Sequence, residues 1–172
     1  MEMPMNPVSL LENLFQRKAE FDVFPAGPDD CRDFSTLHGE RFYRGWGDGE
    51  FHSLMTQSNV FGFTARVTNA TAAALGGFVL AREVAGEAEI LTVAVSDRFP
   101  RLGLGWRLML AAIREVKSRG GEAVFLEVDE GNVAAISLYR KLGFVRVAER
   151  KGYFDDGRGN KSTALVMRLD LR

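Results

Sequence analysis

Residues 89–144 read EILTVAVSDRFPRLGLGWRLMLAAIREVKSRGGEAVFLEVDEGNVAAISLYRKLGF. This stretch decides the fold. Ile90-Leu91-Thr92-Val93-Ala94-Val95 is an apolar strand. The turn Pro100-Arg101-Leu102-Gly103-Leu104-Gly105 opens a helix. Trp106, Met109, Leu110, Ile113 and Val116 then form one apolar stripe at helical spacing, and Gly120-Gly121 ends it. A second apolar strand, Ala123 to Val128, carries a single carboxylate, Glu127. A second helix, from about Val133 to Leu142, carries Tyr139 and stops at Gly143. The order places a phosphate-binding backbone turn, a carboxylate and a phenol near one another. Such a set points to chemistry on a phosphate-tailed molecule.

Working outward, Phe21 to Phe24 reads as a strand closed by Pro25 and Gly27. Pro28-Asp29-Asp30 starts a helix, with proline and acids in its first turn, that runs to about Phe42. Arg44-Gly45-Trp46-Gly47-Asp48-Gly49 is a glycine-punctuated loop, and Asp48 is placed to cap a short helix reaching Met55. Val60 to Val67, Ala73 to Glu83 and Glu87 to Val95 read as consecutive strands. Val145 to Ala148 and Ala164 to Leu169 are the last two, separated by the turn-rich Asp156-Gly157-Arg158-Gly159-Asn160. Leu10, Leu11, Leu14 and Phe15 suggest a helix in an N-terminal extension over residues 1–19, ahead of one domain over 20–172. The order β-α-α-β-β-β-α-β-α-β-β implies an α/β or α+β sheet with helices on both faces.

Bulk composition narrows the classes. The chain has 172 residues, which favours one domain, and 46% hydrophobic with 26% charged residues is ordinary for a globular protein. A net charge of −1 gives no overall field for gathering nucleic acid. Arg140, Lys141, Arg146, Arg150 and Lys151 cluster locally and read as a solvated face. One cysteine, Cys31, cannot form an internal disulfide, and with only His38 and His52 there is no metal-ligand spacing. No apolar run approaches the roughly 20 residues of a membrane span. No basic segment precedes an apolar one as in a secretory leader, so the cytoplasm is the expected compartment.

Each chemical candidate has two readings. Glycines at 103 and 105 let a backbone approach an anion at a helix N-terminus, or they serve turn geometry alone. The dinucleotide fingerprint is set aside because Leu108 stands where its third glycine belongs. Glu127 in an apolar strand loses solvation, as befits a general base, or it is an edge-of-sheet glutamate that reaches solvent or pairs with an arginine. Tyr139 is an acid or a core aromatic. Asn132 is a ligand or a helix cap.

Their joint order resembles the GNAT superfamily of N-acetyltransferases, most closely the RimI-type ribosomal-protein alanine N-acetyltransferases. Glu89–Val95, Arg101–Gly105, Phe125–Val128 and Asn132–Phe144 carry the likeness, which continues through Arg150-Lys151-Gly152-Tyr153. It is strong over residues 86–154 and limited to element order and Trp46 over 20–85. The resemblance implies a mixed, mostly antiparallel sheet and acetyl-CoA as co-substrate. Arg101, Leu102, Gly103, Leu104, Gly105 and Trp106 would hold the pyrophosphate. Val93, Ala94 and Val95 would hold the pantetheine and thioester, and Asn132 the pantetheine arm. Glu127 matches the base, acting through water, and Tyr139 the acid that protonates the thiolate. Trp46 and Tyr153 would border the acceptor, a protein N-terminus, with ribosomal protein as the acceptor the likeness names. No nucleic acid or membrane partner is implied, and a monomer or weak dimer is expected.

The pattern departs from the family at four positions. Pro100 and Leu102 replace residues that are commonly polar or basic, leaving Arg101 as the main local cation. Phe154 replaces the second tyrosine of a frequent pair, and Thr163 an acid. The last two border the acceptor site. Lysine or small-molecule acceptors, and a non-catalytic acyl-CoA-binding module, are the alternatives. The loop over 44–49 and the hairpin over 153–161 are expected to shape the acceptor pocket.

Overall fold

A computed structural model describes residues 18–172. The expected helix around Leu10–Phe15 lies outside the described residues. One seven-stranded sheet runs β1 (Phe21–Pro25), β2 (Val60–Val67), β3 (Leu75–Val84), β4 (Glu87–Val95), β5 (Ala123–Asp129), β6 (Val145–Asp155) and β7 (Lys161–Asp170). Its spatial order is β1-β2-β3-β4-β5-β7-β6. Every neighbouring pair is antiparallel except β4 and β5. Four α-helices complete it: α1 (Cys31–Arg41), α2 (Asp48–Met55), α3 (Leu104–Ser118) and α4 (Val133–Lys141).

Alternation along the strands divides the apolar side chains between two faces. Phe61, Val79, Ala81, Val124, Leu126 and Val128 pack with Leu104, Leu108, Met109, Ala112 and Val116 of α3 and Ile136 and Tyr139 of α4. Phe78, Leu80 and Ala94 pack on the other face with Cys31, Phe34 and Leu37 of α1 and Phe51 of α2. The helix layers therefore lie on opposite sides, as the element order required.

Several local expectations change. Pro28–Asp30 is a short 3-10 turn leading into α1. Asp48 is the first residue of α2 rather than its cap; Gly47 holds that position, and its N–H donates to the Glu50 carboxylate at 2.6 Å. The buried stripe of α3 is Leu104, Leu108, Met109, Ala112 and Val116, while Trp106 is 38% exposed. At about 100° per residue, Trp106 lies nearly opposite Leu104 and Leu108 on the helix, so its indole faces outward. β6 extends to Asp155, well past Ala148. It is an edge strand whose residues are almost all exposed, so no apolar alternation marked its length.

The β4–β5 pairing positions the site. These strands run parallel and pair only as Glu87 with Ala123, Ala88 with Val124 and Glu89 with Phe125. Beyond Glu89 a bulge falls in β4, where Leu80 faces Thr92 but Ala81 faces Ile90. A bulge adds twist and re-aims a strand. From there β4 and β5 diverge, and the sheet opens between them.

Candidate active site

The opening has a backbone wall, two helix ends and one charged flank. On β4 the Ser96 N–H donates to the Gly76 carbonyl. Antiparallel alternation then turns the backbone groups of Ala94 toward β3 and those of Val93 and Val95 into the opening. Their side chains stay partly buried against the α3–α4 core. A strand whose polar backbone lacks a neighbour is made to bind an extended, amide-bearing chain.

At the wide end of the opening, Arg101 (φ 59°) and Gly103 (φ 68°) are both in the left-handed region. Gly103 caps α3 without any side-chain hydrogen bond. The first closing bond of the helix runs from the Arg107 N–H to the Gly103 carbonyl, so the amides of Leu104, Gly105 and Trp106 stay available. A Cβ on Gly105 would stand 3.2 Å from a Leu138 methyl, so this end of α3 lies close against α4. Bare amides at the start of a 15-residue helix attract an anion.

Asn132 caps α4: its carbonyl oxygen accepts the Ala135 N–H at 3.2 Å. The other end of α4 closes on Gly143 (φ 101°), with the Phe144 N–H donating to the Tyr139 carbonyl. Tyr139 is 6% exposed and meets Phe144 edge-on at 6.0 Å. Burial pushes its hydroxyl up to about 12, so it is protonated at neutral pH.

Glu127 occupies the opposite face. Its neighbours Leu126 and Val128 join the α3–α4 core, so strand alternation turns Glu127 the other way. β5 lies between β4 and β7, which rules out the sheet-edge reading. The arginine reading holds: Arg150 Nη1 stands 3.2 Å from Glu127 Oε1. Arg150 comes from β6, two strands away, and reaches over Val166 of β7. Its guanidinium also lies over the Tyr153 ring, 5.3 Å from the centroid. A cleft of about 630 Å³ extends from here, lined in part by Glu127, Arg150, Glu87, Glu89, Arg82 and Phe125.

Glu127 and Tyr139 thus do not touch. They flank the opening from its two faces. Tyr153 joins Glu127 through Arg150. Trp46 is committed to packing: its ring stacks on His38 at 4.7 Å and its backbone N–H donates to His38 Nδ1 at 3.0 Å. His38 is 3% exposed, and burial lowers its imidazole to about 4, so the ring is neutral. The loop between α1 and α2 is thereby pinned, and within it Tyr43 fills the space beside Gly157 in the β6–β7 hairpin.

Sequence reasoning missed Arg150, His38 and Tyr43. Arg150 lies within the stretch carrying the resemblance, but its partner is 23 positions away on a non-adjacent strand. Among the described residues no three His, Cys, Asp or Glu side chains converge as a metal site would need. Nor is any helix there long and apolar enough to cross a membrane.

The chain is similar in sequence and fold to known proteins. The [ribosomal protein bS18]-alanine N-acetyltransferase of Salmonella typhimurium is 35% identical over 97 residues, 56% of this chain and 65% of that relative's length. The solved ribosomal-protein-S18-alanine N-acetyltransferase from Escherichia coli superposes with a TM-score of 0.80 at 25% identity, covering 88% of this chain and 94% of the other. Arabidopsis thaliana NAA60, solved in complex with acetyl-CoA, has the same fold, with a TM-score of 0.76 at 19% identity over 88% and 99% of the two chains. The acetyltransferase (GNAT) family model matches residues 31–144, and the chain belongs to that family.

Proposed function

We propose that the protein transfers the acetyl group of acetyl-CoA to the N-terminal α-amine of a protein, with a ribosomal protein as the leading acceptor. One observation carries the reading. The β4–β5 ladder stops after Glu89, and Glu127 and Tyr139 stand on opposite faces of the gap that follows. A thioester lying in that gap would have its carbonyl open to an amine from the Glu127 face and its sulfur near Tyr139.

The residues fit the donor. The amides of Leu104, Gly105 and Trp106, with Arg101, suit a pyrophosphate. The outward backbone of Val93 and Val95 suits the amides of a pantetheine arm, and Asn132 stands at its far wall. In the transfer, the amine nitrogen attacks the thioester carbon and the carbon–sulfur bond breaks. Glu127 takes the amine proton through water, and the Tyr139 hydroxyl gives its proton to the departing thiolate. Holding the two reactants in attack geometry supplies much of the rate. An α-amine has a pKa of about 7.7–8 against about 10.4 for lysine, so it needs less help from a base. On the acceptor side, Tyr43 meets Gly157, which brings the segment before α2 against the β6–β7 hairpin.

Thiol release from acetyl-CoA tests this across short peptides beginning Ala, Ser or Met, and across N-blocked peptides with a free lysine. Turnover confined to free N-termini is the expected result. Turnover confined to blocked peptides moves the acceptor to lysine. Acetyl-CoA binding without turnover on any amine sinks the proposal in favour of a binding module.

A further inference from the structure

The cleft beside Glu127 carries more charge than proton abstraction needs. Three carboxylates, Glu87, Glu89 and Glu127, face two guanidiniums, Arg82 and Arg150. Arg82 is engaged with Glu89 at 3.3 Å. Arg150 is engaged with Glu127 at 3.2 Å. Further charge nearby comes from β7, where Arg168 lies over the Phe125 ring at 5.0 Å and bonds Asp170. Only Arg150 is set directly against the residue that meets the acceptor.

We infer that Arg150 is a specificity-determining residue: its cation, held against the Glu127 carboxylate, admits a neutral α-amine and turns away the ammonium of a lysine side chain. The inference rests on the amine-acetylation reading above. A lone carboxylate in a half-enclosed cleft is a counter-ion: it would gather an ammonium beside it and take its proton there. With Arg150 in place that role is already filled, and a second cation meets repulsion. Arginine never loses its charge at working pH. The site therefore selects whichever amine is neutral in solution. Near pH 7 that is roughly a tenth to a sixth of α-amines and less than about a thousandth of lysines. Arg150 is half-exposed and lies on an edge strand, so replacing it leaves the core intact.

The test compares wild type, Arg150→Met and Arg150→Lys. Each is assayed with a free-N-terminal peptide and an N-blocked lysine peptide, with kcat followed against pH. Acetyl-CoA affinity and near-UV circular dichroism confirm that each variant is folded. In Arg150→Met the ratio of α-amine to lysine kcat/KM should fall at least about fivefold, because the uncovered carboxylate now favours ammonium. The rising limb of kcat for the α-amine peptide should move to higher pH by roughly half a unit or more, since losing a nearby cation favours protonation of the bound groups. Arg150→Lys keeps the charge and should restore the ratio to within about twofold. An equal loss on both acceptors with an unmoved limb would mean that Arg150 only supports the hairpin, which overturns the inference. A wild type that binds acetyl-CoA yet acetylates neither peptide overturns the function itself, and the role of Arg150 with it.

Discussion

The ring of Tyr43 occupies the space that a side chain on Gly157 would enter. The α1–α2 loop and the β6–β7 hairpin therefore rest on one another across the Glu127 side of the sheet. Gly157 also has φ 73°, which costs an L-residue about 1–2 kcal/mol. Gly157→Val should part the two segments and raise the acceptor KM about fivefold or more while leaving the acetyl-CoA KM nearly unchanged, the signature of lost binding outside the chemical step. Steady-state kinetics with each substrate varied in turn checks this.

Removing the proposed proton-handling groups should act on rate rather than on donor affinity. Glu127→Gln and Tyr139→Phe should each lower kcat by about 10²-fold, within the range of general acid–base catalysis. Calorimetric titration of acetyl-CoA should give wild-type affinity in both. A double variant with an undiminished rate at saturating substrates would remove both residues from the mechanism.

His38 links pH to the shape of the acceptor side. Burial holds its imidazole near 4, against about 6.5 in the unfolded chain. A depressed folded value means stability that is complete above pH 6.5 and lost as pH falls toward 4. The full loss is on the order of 3 kcal/mol. Melting temperature should drop between pH 7 and pH 4.5, and His38→Asn, which keeps an acceptor for the Trp46 N–H, should flatten that slope. Acceptor KM should rise over the same window in the wild type, because Trp46 loses its anchor.

Tyr139 sets the opposite limit. Burial carries its hydroxyl to about 12, above its ordinary value of 10.0. A neutral group favoured by folding contributes stability that is present below pH 10 and lost between pH 10 and 12. Melting curves at pH 9, 10 and 11 should show Tyr139→Phe closing its gap with the wild type as pH rises. The same shift keeps Tyr139 protonated across the working range, so kcat should show no falling limb from it below about pH 11.

Legibility in the sequence followed physical cause. Val60–Val67 and Glu87–Val95 could be bounded to the residue because one or both faces are buried and turn residues close them. Gly103 could be read because few residues other than glycine suit a left-handed turn before a helix. The length of β6 could not, since an edge strand exposed along nearly its whole length has no buried face to pattern it. Trp106 was assigned to the core on spacing, but the buried stripe runs through Leu104, Leu108 and Ala112, which apolar spacing alone does not separate from the neighbouring set. Glu127 could be singled out, whereas its arginine could not: a contact that spans β5, β7 and β6 depends on a strand order that no local pattern encodes.

The three-residue ladder between β4 and β5 leaves an edge strand in the middle of a sheet. Outer edges can be shielded by charge or short length, but this one must remain bare for a guest to enter. Its amides should exchange with solvent as quickly as those of a terminal strand when the protein is empty, and slowly once the donor is seated. A peptide from another molecule could pair there just as the donor does. Under the proposed activity, acetyl-CoA stabilises the folded chain as well as serving as a substrate, and material purified without it should be the more prone to aggregate.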